Sequence, residues 1–393
     1  MAESDNMSAT QDPPGRFHVL IAGGGVAGLE AAFALHELAG DRVHVTVLAP
    51  ESEFIYRPNA VKEPFTLGYA HSYPLDALAA DAGAELVQDA LARVDAEHRL
   101  AYTTAGSRLS YDALLLGLGV ELGEPLEHVT TVDGGHIDEC LHGLVQDVEE
   151  GYVKRLAFVV PAPVPWPLPA YELALLTAQR AWEMGMDLSV TILTPERAPL
   201  AVFGDQASGE VAQLLSDRGI DVITSAYCEV TQPKTITISG GRRQLEFDRI
   251  VALPELRGPA MPGIPADGGG FIPVDEFCAV RGVAHVYAAG DATDFPVKHG
   301  GIAAQQADSA ARSIAASAGA SITPQRFDPV LEGVLVTGGT PRYLAARLSG
   351  GRGPDPEVVS TPVGASTPKI AARYLAAHLE QQTRDHVAPA GGV

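Results

Sequence analysis

The chain has little positive charge and little sulfur. Its 393 residues include 27 Lys and Arg against 49 Asp and Glu, a formal net charge of −22. That balance argues against a nucleic-acid partner and against docking on an anionic membrane surface, since both attract basic patches. No run approaches the roughly 18 apolar residues that span a bilayer. The opening stretch MAESDNMSATQDPPGR lacks the basic-then-apolar order of a secretory signal and reads as a polar, disordered tail. The three cysteines, Cys140, Cys228 and Cys278, show no C-x-x-C spacing. They imply neither a disulfide framework nor a zinc site, so no metal is expected and the thiols read as buried structural groups. These absences point to a cytoplasmic protein, and the length suits two domains at about 150 residues each.

Glycine is placed with purpose. Residues 19–28 read VLIAGGGVAG: a short apolar run meets Gly23, Gly25 and Gly28 in the G-x-G-x-x-G spacing, and an alanine-rich helical run begins at Leu29. The first glycine permits a tight turn, the second lets backbone approach a pyrophosphate, and the third lets helix pack on strand. The helix N-terminus adds unpaired N–H groups and partial positive charge. Gly23, Gly25, Val26, Ala27 and Gly28 are therefore the candidate dinucleotide contacts. A strand over 43–48 should lie beside the first. The acid expected at its end for the adenosine ribose is absent, since Ala49 and Pro50 stand there. Glu51 is the candidate replacement.

A second unit begins the same way and then departs. A strand over 156–160, a helical run and a strand over 188–193 are present, but the glycines are not. Pro161, Pro163, Pro165, Pro167 and Pro169 occupy the turn. Proline has no N–H and cannot cradle a phosphate. At the end of the next strand, Thr194-Pro195 replaces the expected acid. The pattern is that of an NAD-type domain with its binding chemistry stripped or rebuilt. Residues 349–366, rich in Gly, Pro and Ser, read as a loop, and a C-terminal helix is expected over about 367–381.

Further matches carry a resemblance. They are FIYRP at 54–58, YDALLLGLG at 111–119, PAYELA at 169–174, TPERAPLAVFG at 194–204, GFIPVD at 270–275, and GDATDFPVKHGGIAAQQA at 290–307. Together they resemble FAD-dependent flavoproteins of the pyridine nucleotide-disulfide oxidoreductase superfamily, on its sulfide:quinone oxidoreductase-like and type II NADH dehydrogenase-like branch. The resemblance implies an α/β fold with two Rossmann-like dinucleotide-binding domains and a small C-terminal module. The FAD domain would be discontinuous, over 16–120 and 246–325, with a degenerate NAD-type domain over 121–245. The module would cover 326–385, and residues 1–15 and 386–393 would be tails.

By the same resemblance, Asp291 after Gly290 meets the ribityl chain of FAD. The following helix, with Ala303, aims its N-terminus at the flavin, while Arg57 and Gly119 complete the contacts. Glu172 falls where relatives carry a glutamate beside the flavin, though a charge in a first helical turn has the same appearance. Lys298 falls where relatives bring a lysine to the flavin or acceptor, though a solvated loop lysine fits equally. Gln305 and Gln306 read as acceptor contacts or as polar helix surface, and Trp166 as a flavin shield or a packed loop anchor. Trp166 also stands about where relatives carry one redox cysteine, and no cysteine follows Cys278. Sulfide oxidation is therefore disfavoured.

The expectation is a soluble FAD-dependent oxidoreductase passing two electrons to a quinone-like or other small acceptor. NAD(P)H stays open as donor, with the proline loop against it, and a homodimer stays open too. The alternatives are a structural flavin acting through a partner, and a peripheral membrane quinone reductase using an amphipathic C-terminal helix with Ile370, Tyr374, Leu375 and Leu379 on one side.

Overall fold

A computed structural model describes residues 15–132, 134, 136–238, 243–348 and 369–387. The expected tails, apart from residue 15 and residues 386–387, and the whole expected loop over 349–366 lie outside these. Seven helices are described: α1 (Val26–Ala39), α2 (Leu75–Asp81), α3 (Ile137–Glu149), α4 (Leu168–Glu183), α5 (Asp205–Asp217), α6 (Gly300–Ser317) and α7 (Leu375–Val387).

Two five-stranded parallel sheets organise the chain. The first runs in the order Val286–Ala288, Ala113–Leu116, Phe17–Ala22, Val43–Leu48, Ala84–Val87. Its edge strand at 286–288 arrives from far along the chain. Because strand side chains alternate, Val19 and Ile21 face one core cluster with α1 and α6, while Leu20 and Ala22 face another beneath the 91–110 antiparallel strands. Burial on both faces explains the near-continuous apolar run. The second sheet runs Thr130–Thr131, Arg249–Ala252, Arg155–Val159, Ser189–Leu193, Ile220–Ile223, again all parallel. Alanines at 31, 32, 304, 307 and 311 let α1 and α6 pack closely in the first core.

The C-terminal residues divide between the two cores. The hairpin Val330–Leu335/Arg342–Arg347 packs Leu331, Leu335 and Leu344 with Phe203 in the second-sheet core. α7 packs on α1 and places Leu375 and Leu379 in the first core. The helix expected over 367–381 starts only at Leu375, because the N–H groups of Arg373 to Leu375 are taken by the Glu30 carboxylate. Ile370, Tyr374, Leu375 and Leu379 do share a side, but each is buried in that core. They are not a lipid-facing stripe. Among the described residues no helix is long and apolar enough to cross a membrane.

Candidate functional site

The three glycine-bearing segments, far apart in sequence, meet at one end of the first sheet. Gly23 has φ +116°, and a Cβ there would lie 2.2 Å from the Gly117 carbonyl oxygen. A Cβ on Gly28 would lie 1.9 Å from the Gly23 carbonyl oxygen. Both positions admit only glycine. A Cβ on Gly290 would sit 3.3 Å from the Cβ atoms of both Ala27 and Ala303, so the second motif closes directly onto the first. Gly25 differs: it is exposed, and a Cβ there would meet nothing within 4 Å. It caps α1 with no side-chain hydrogen bond, and the first turn holds no acid. The first N–H groups of α1 therefore point into open space, as an anion site requires. Gly119, with φ +70°, also has open space before it. Glu51 and Arg57 are both exposed.

Asp291 follows Gly290 in a short 3-10 turn. It is partly open to solvent yet crowded by protein, and its carboxylate has no hydrogen-bond partner among the described residues. Crowding pushes its pKa up to about 6, against the pull of Lys298. Lys298 is buried. Its ammonium donates to the Thr293 carbonyl and lies 4.0 Å from the centre of the Phe271 ring. Burial brings its pKa down to about 8, while Asp291, Asp294 and Asp267 oppose that shift. The solvated-lysine alternative is thereby removed.

Glu172 is buried within α4 and is no first-turn surface charge. Its Oε1 accepts from Lys369 Nζ at 2.7 Å and from the Val336 N–H at 2.9 Å. The same ammonium donates to the Pro58 carbonyl at 2.9 Å, joining FIYRP to the C-terminal segment. Burial raises Glu172 and lowers Lys369 from their ordinary values, and each partner resists the other's shift. The sequence reading missed Lys369; nothing in its local pattern marks it, since its partner lies 197 positions away.

Two glutamines are spent on structure. Gln306 is buried, accepts from the Gly290 N–H at 2.8 Å and donates to Thr293 Oγ1 at 3.2 Å. Gln305 pairs with both backbone groups of Val330, at 2.8 and 2.9 Å, like an added strand residue. Trp166 packs within the loop, its ring 4.6 Å from the His299 ring and 5.9 Å from Phe203. The Lys298 N–H bonds the Pro165 carbonyl at 3.2 Å, so the proline loop is fastened to the start of α6. His299 accepts from the Gly301 N–H, and burial brings its pKa down to about 4, leaving it neutral at pH 7. Of the thiols only Cys278 is fully buried; Cys140 and Cys228 are half-buried at sheet and helix margins.

At the end of the second sheet, the turn into α4 offers few free N–H groups to a dinucleotide phosphate. Pro167 caps α4, Pro169 has no N–H, and the Ala170 N–H already bonds the Pro167 carbonyl. An acid does stand beyond the Ser189–Leu193 strand, at Glu196. Its carboxylate is turned inward and accepts from Tyr171 OH at 2.7 Å, Thr194 Oγ1 at 2.9 Å and the Ala201 N–H at 3.2 Å. The T-x-E spacing could have flagged it.

Residues 171–313 match the family described as pyridine nucleotide-disulphide oxidoreductase. A curated relative, the sulfide-quinone reductase of Aquifex aeolicus (strain VF5), is 23% identical over 270 residues, 64% of this chain and 61% of that protein. The chain thus spans about three fifths of that relative's length. The solved sulfide:quinone oxidoreductase from the same organism superposes with a TM-score of 0.76 at 18% identity, covering 94% of this chain and 90% of that one. A NAD-dependent persulfide reductase from A. fulgidus gives 0.61 at 19% identity, covering 84% and 64%. The fold is thus that of these solved structures, and the 171–313 segment matches the pyridine nucleotide-disulphide oxidoreductase family.

Proposed function

We propose that this chain, whose fold and 171–313 segment are those of the pyridine nucleotide-disulphide oxidoreductase superfamily, is an FAD-dependent oxidoreductase that passes two electrons to a quinone-like acceptor. One observation carries the reading. Three remote glycine segments pack into a single cradle, with Gly25 open before an uncapped helix and Asp291 unpartnered beside it. The residues fit the cofactor. The N–H groups of Val26 to Gly28 suit its pyrophosphate, Asp291 its polyol hydroxyls, and Glu51 and Arg57 its outer end. Bound there, FAD supplies the two-electron chemistry.

The chain's own residues orient and tune. Lys298 is held by Thr293 and Phe271 near Asp291, and with FAD bound its cation would favour the negative charge of the reduced cofactor. The buried Glu172–Lys369 pair fixes α4, the FIYRP segment and the chain near Lys369 to one another. The sealed proline loop and the inward Glu196 disfavour NAD(P)H as donor. Sulfide oxidation by a cysteine pair is disfavoured because no cysteine follows Cys278. The buried side of α7 disfavours a peripheral lipid anchor.

The test is anaerobic. Protein loaded with FAD and reduced by dithionite in stoichiometric amount should reoxidise when a short-chain benzoquinone is added. A flavin that binds but ignores quinones of several sizes would turn the reading toward a structural cofactor. A pH prediction follows from Lys298. Its charge is lost above about pH 8, so quinone reduction should decline on an alkaline limb near pH 8. Lys298→Met should be slower and should lack that limb. Stability moves oppositely. Below about pH 8 the lysine is charged in folded and unfolded chains alike, and its burial penalty is felt in full. As pH rises from there, the folded chain releases the proton first, so this group's contribution to stability improves.

A further inference from the structure

We propose that Glu30 is a positioning residue that latches the C-terminal segment 369–375 across the edge of the site, holding Lys369 in register with Glu172. What the segment covers rests on the flavin reading above; the latch itself does not.

Glu30 lies on α1, five residues beyond Gly25, and its side chain is wholly buried. Its carboxylate meets backbone N–H groups and no cation. Oε1 accepts from Arg373 at 2.7 Å and Tyr374 at 3.0 Å; Oε2 accepts from Leu375 at 2.7 Å and Tyr374 at 3.2 Å. The Tyr374 and Leu375 N–H groups are among the donors that the start of α7 leaves unpaired, at the positive end of the helix, and the Arg373 N–H directly precedes them. Burial raises the Glu30 pKa and these bonds pull it back. The other charges nearby are Asp308, which opposes ionisation, and Arg312, which is already paired to Asp308 at 3.1 Å.

The rest of the segment is fastened from two other elements. The Ile370 N–H donates to Tyr56 OH at 3.0 Å, and Lys369 reaches Glu172 and Pro58. The Ile370 side chain lies over Gly300, where a Cβ would be 2.8 Å from it, at the first residue of α6. Packing alone does not call for a carboxylate at position 30. Alanines at 31, 32 and 34 fill the same helix, and an apolar residue would avoid the desolvation of an ion. A carboxylate holding three N–H donors does what an alanine cannot: it fixes where the chain turns into α7. The turn in turn fixes how far Lys369 extends toward Glu172.

The experiment compares hydrogen exchange in the full chain for wild type, Glu30→Ala and Glu30→Gln, after incubation with FAD. In Glu30→Ala the amides of Arg373 to Leu375 should exchange at least about tenfold faster, the equivalent of one lost bond to a charged acceptor. The acceleration should extend to Ile370, and iodide should quench flavin fluorescence more strongly. Glu30→Gln keeps one acceptor oxygen and should restore part of the protection at 370 and at 373–375. If Glu30→Ala does not fold, the Gln variant alone decides, by faster exchange at both ends. Wild-type protection at 370, with loosening confined to 373–375, would overturn the proposal and leave Glu30 a local cap. A chain that takes up no FAD would defeat the flavin reading, while the exchange pattern would still judge the latch.

Discussion

Gly25→Val should yield a folded chain that no longer retains FAD. The backbone at Gly25 is extended, with φ −84° and ψ −168°, so valine is conformationally acceptable there. A Cβ meets nothing within 4 Å, so the protein itself has no clash. The added isopropyl group instead fills the space that the pyrophosphate would need, in front of the α1 N–H groups. Losing one or two charge-assisted hydrogen bonds, about 1.5–3 kcal/mol each, weakens FAD binding on the order of 100-fold or more. Circular dichroism and thermal melting of the apoprotein should stay near wild type, and flavin absorbance after gel filtration should be lost. Gly28→Ala is the contrasting control. Its methyl would lie 1.9 Å from the Gly23 carbonyl oxygen, so folding suffers before binding can be asked about.

The second large effect concerns the buried ion pair. Glu172→Ala removes the anion and leaves the Lys369 ammonium, only 11% exposed, with the Pro58 carbonyl as its remaining hydrogen-bond partner among the described residues. Breaking a buried pair from one side typically costs about 3–5 kcal/mol, because the surviving charge is uncompensated. The thermal midpoint should fall on the order of 10 °C. Replacing both partners, as Glu172→Met with Lys369→Met, should recover most of that loss, since packed apolar groups often match a buried pair. If the single variant melts like wild type, Lys369 has escaped to solvent or shed its proton, and the pair does not hold the segment.

Much of the site was legible locally. G-x-G-x-x-G states a backbone requirement, and Gly23 and Gly28 meet it through close contacts that exclude any side chain. The meeting of Ala27, Gly290 and Ala303 was legible as two motifs but not as a contact, because nothing in either segment specifies the other. Lys298 was legible as a position and not as an environment; its burial comes from Phe271 and the proline loop. Gln305 and Gln306 read as acceptor contacts or as polar helix surface, yet tertiary partners at Val330, Gly290 and Thr293 claim both amides. Glu30 and Lys369 were not legible at all. Each acts through a partner hundreds of positions away, and no spacing rule spans that distance. The helix start at Leu375 was missed for the same reason, since the acceptor that ends the extended segment belongs to α1.

The most direct test is an anaerobic absorbance spectrum of the purified, FAD-incubated protein, recorded before and after NADH, then NADPH, then dithionite. The expected result is retained flavin bands that neither nucleotide bleaches within minutes and that dithionite removes. Absence of bound flavin would contradict the cradle at Gly25, and bleaching by either nucleotide within seconds would contradict the sealed second domain.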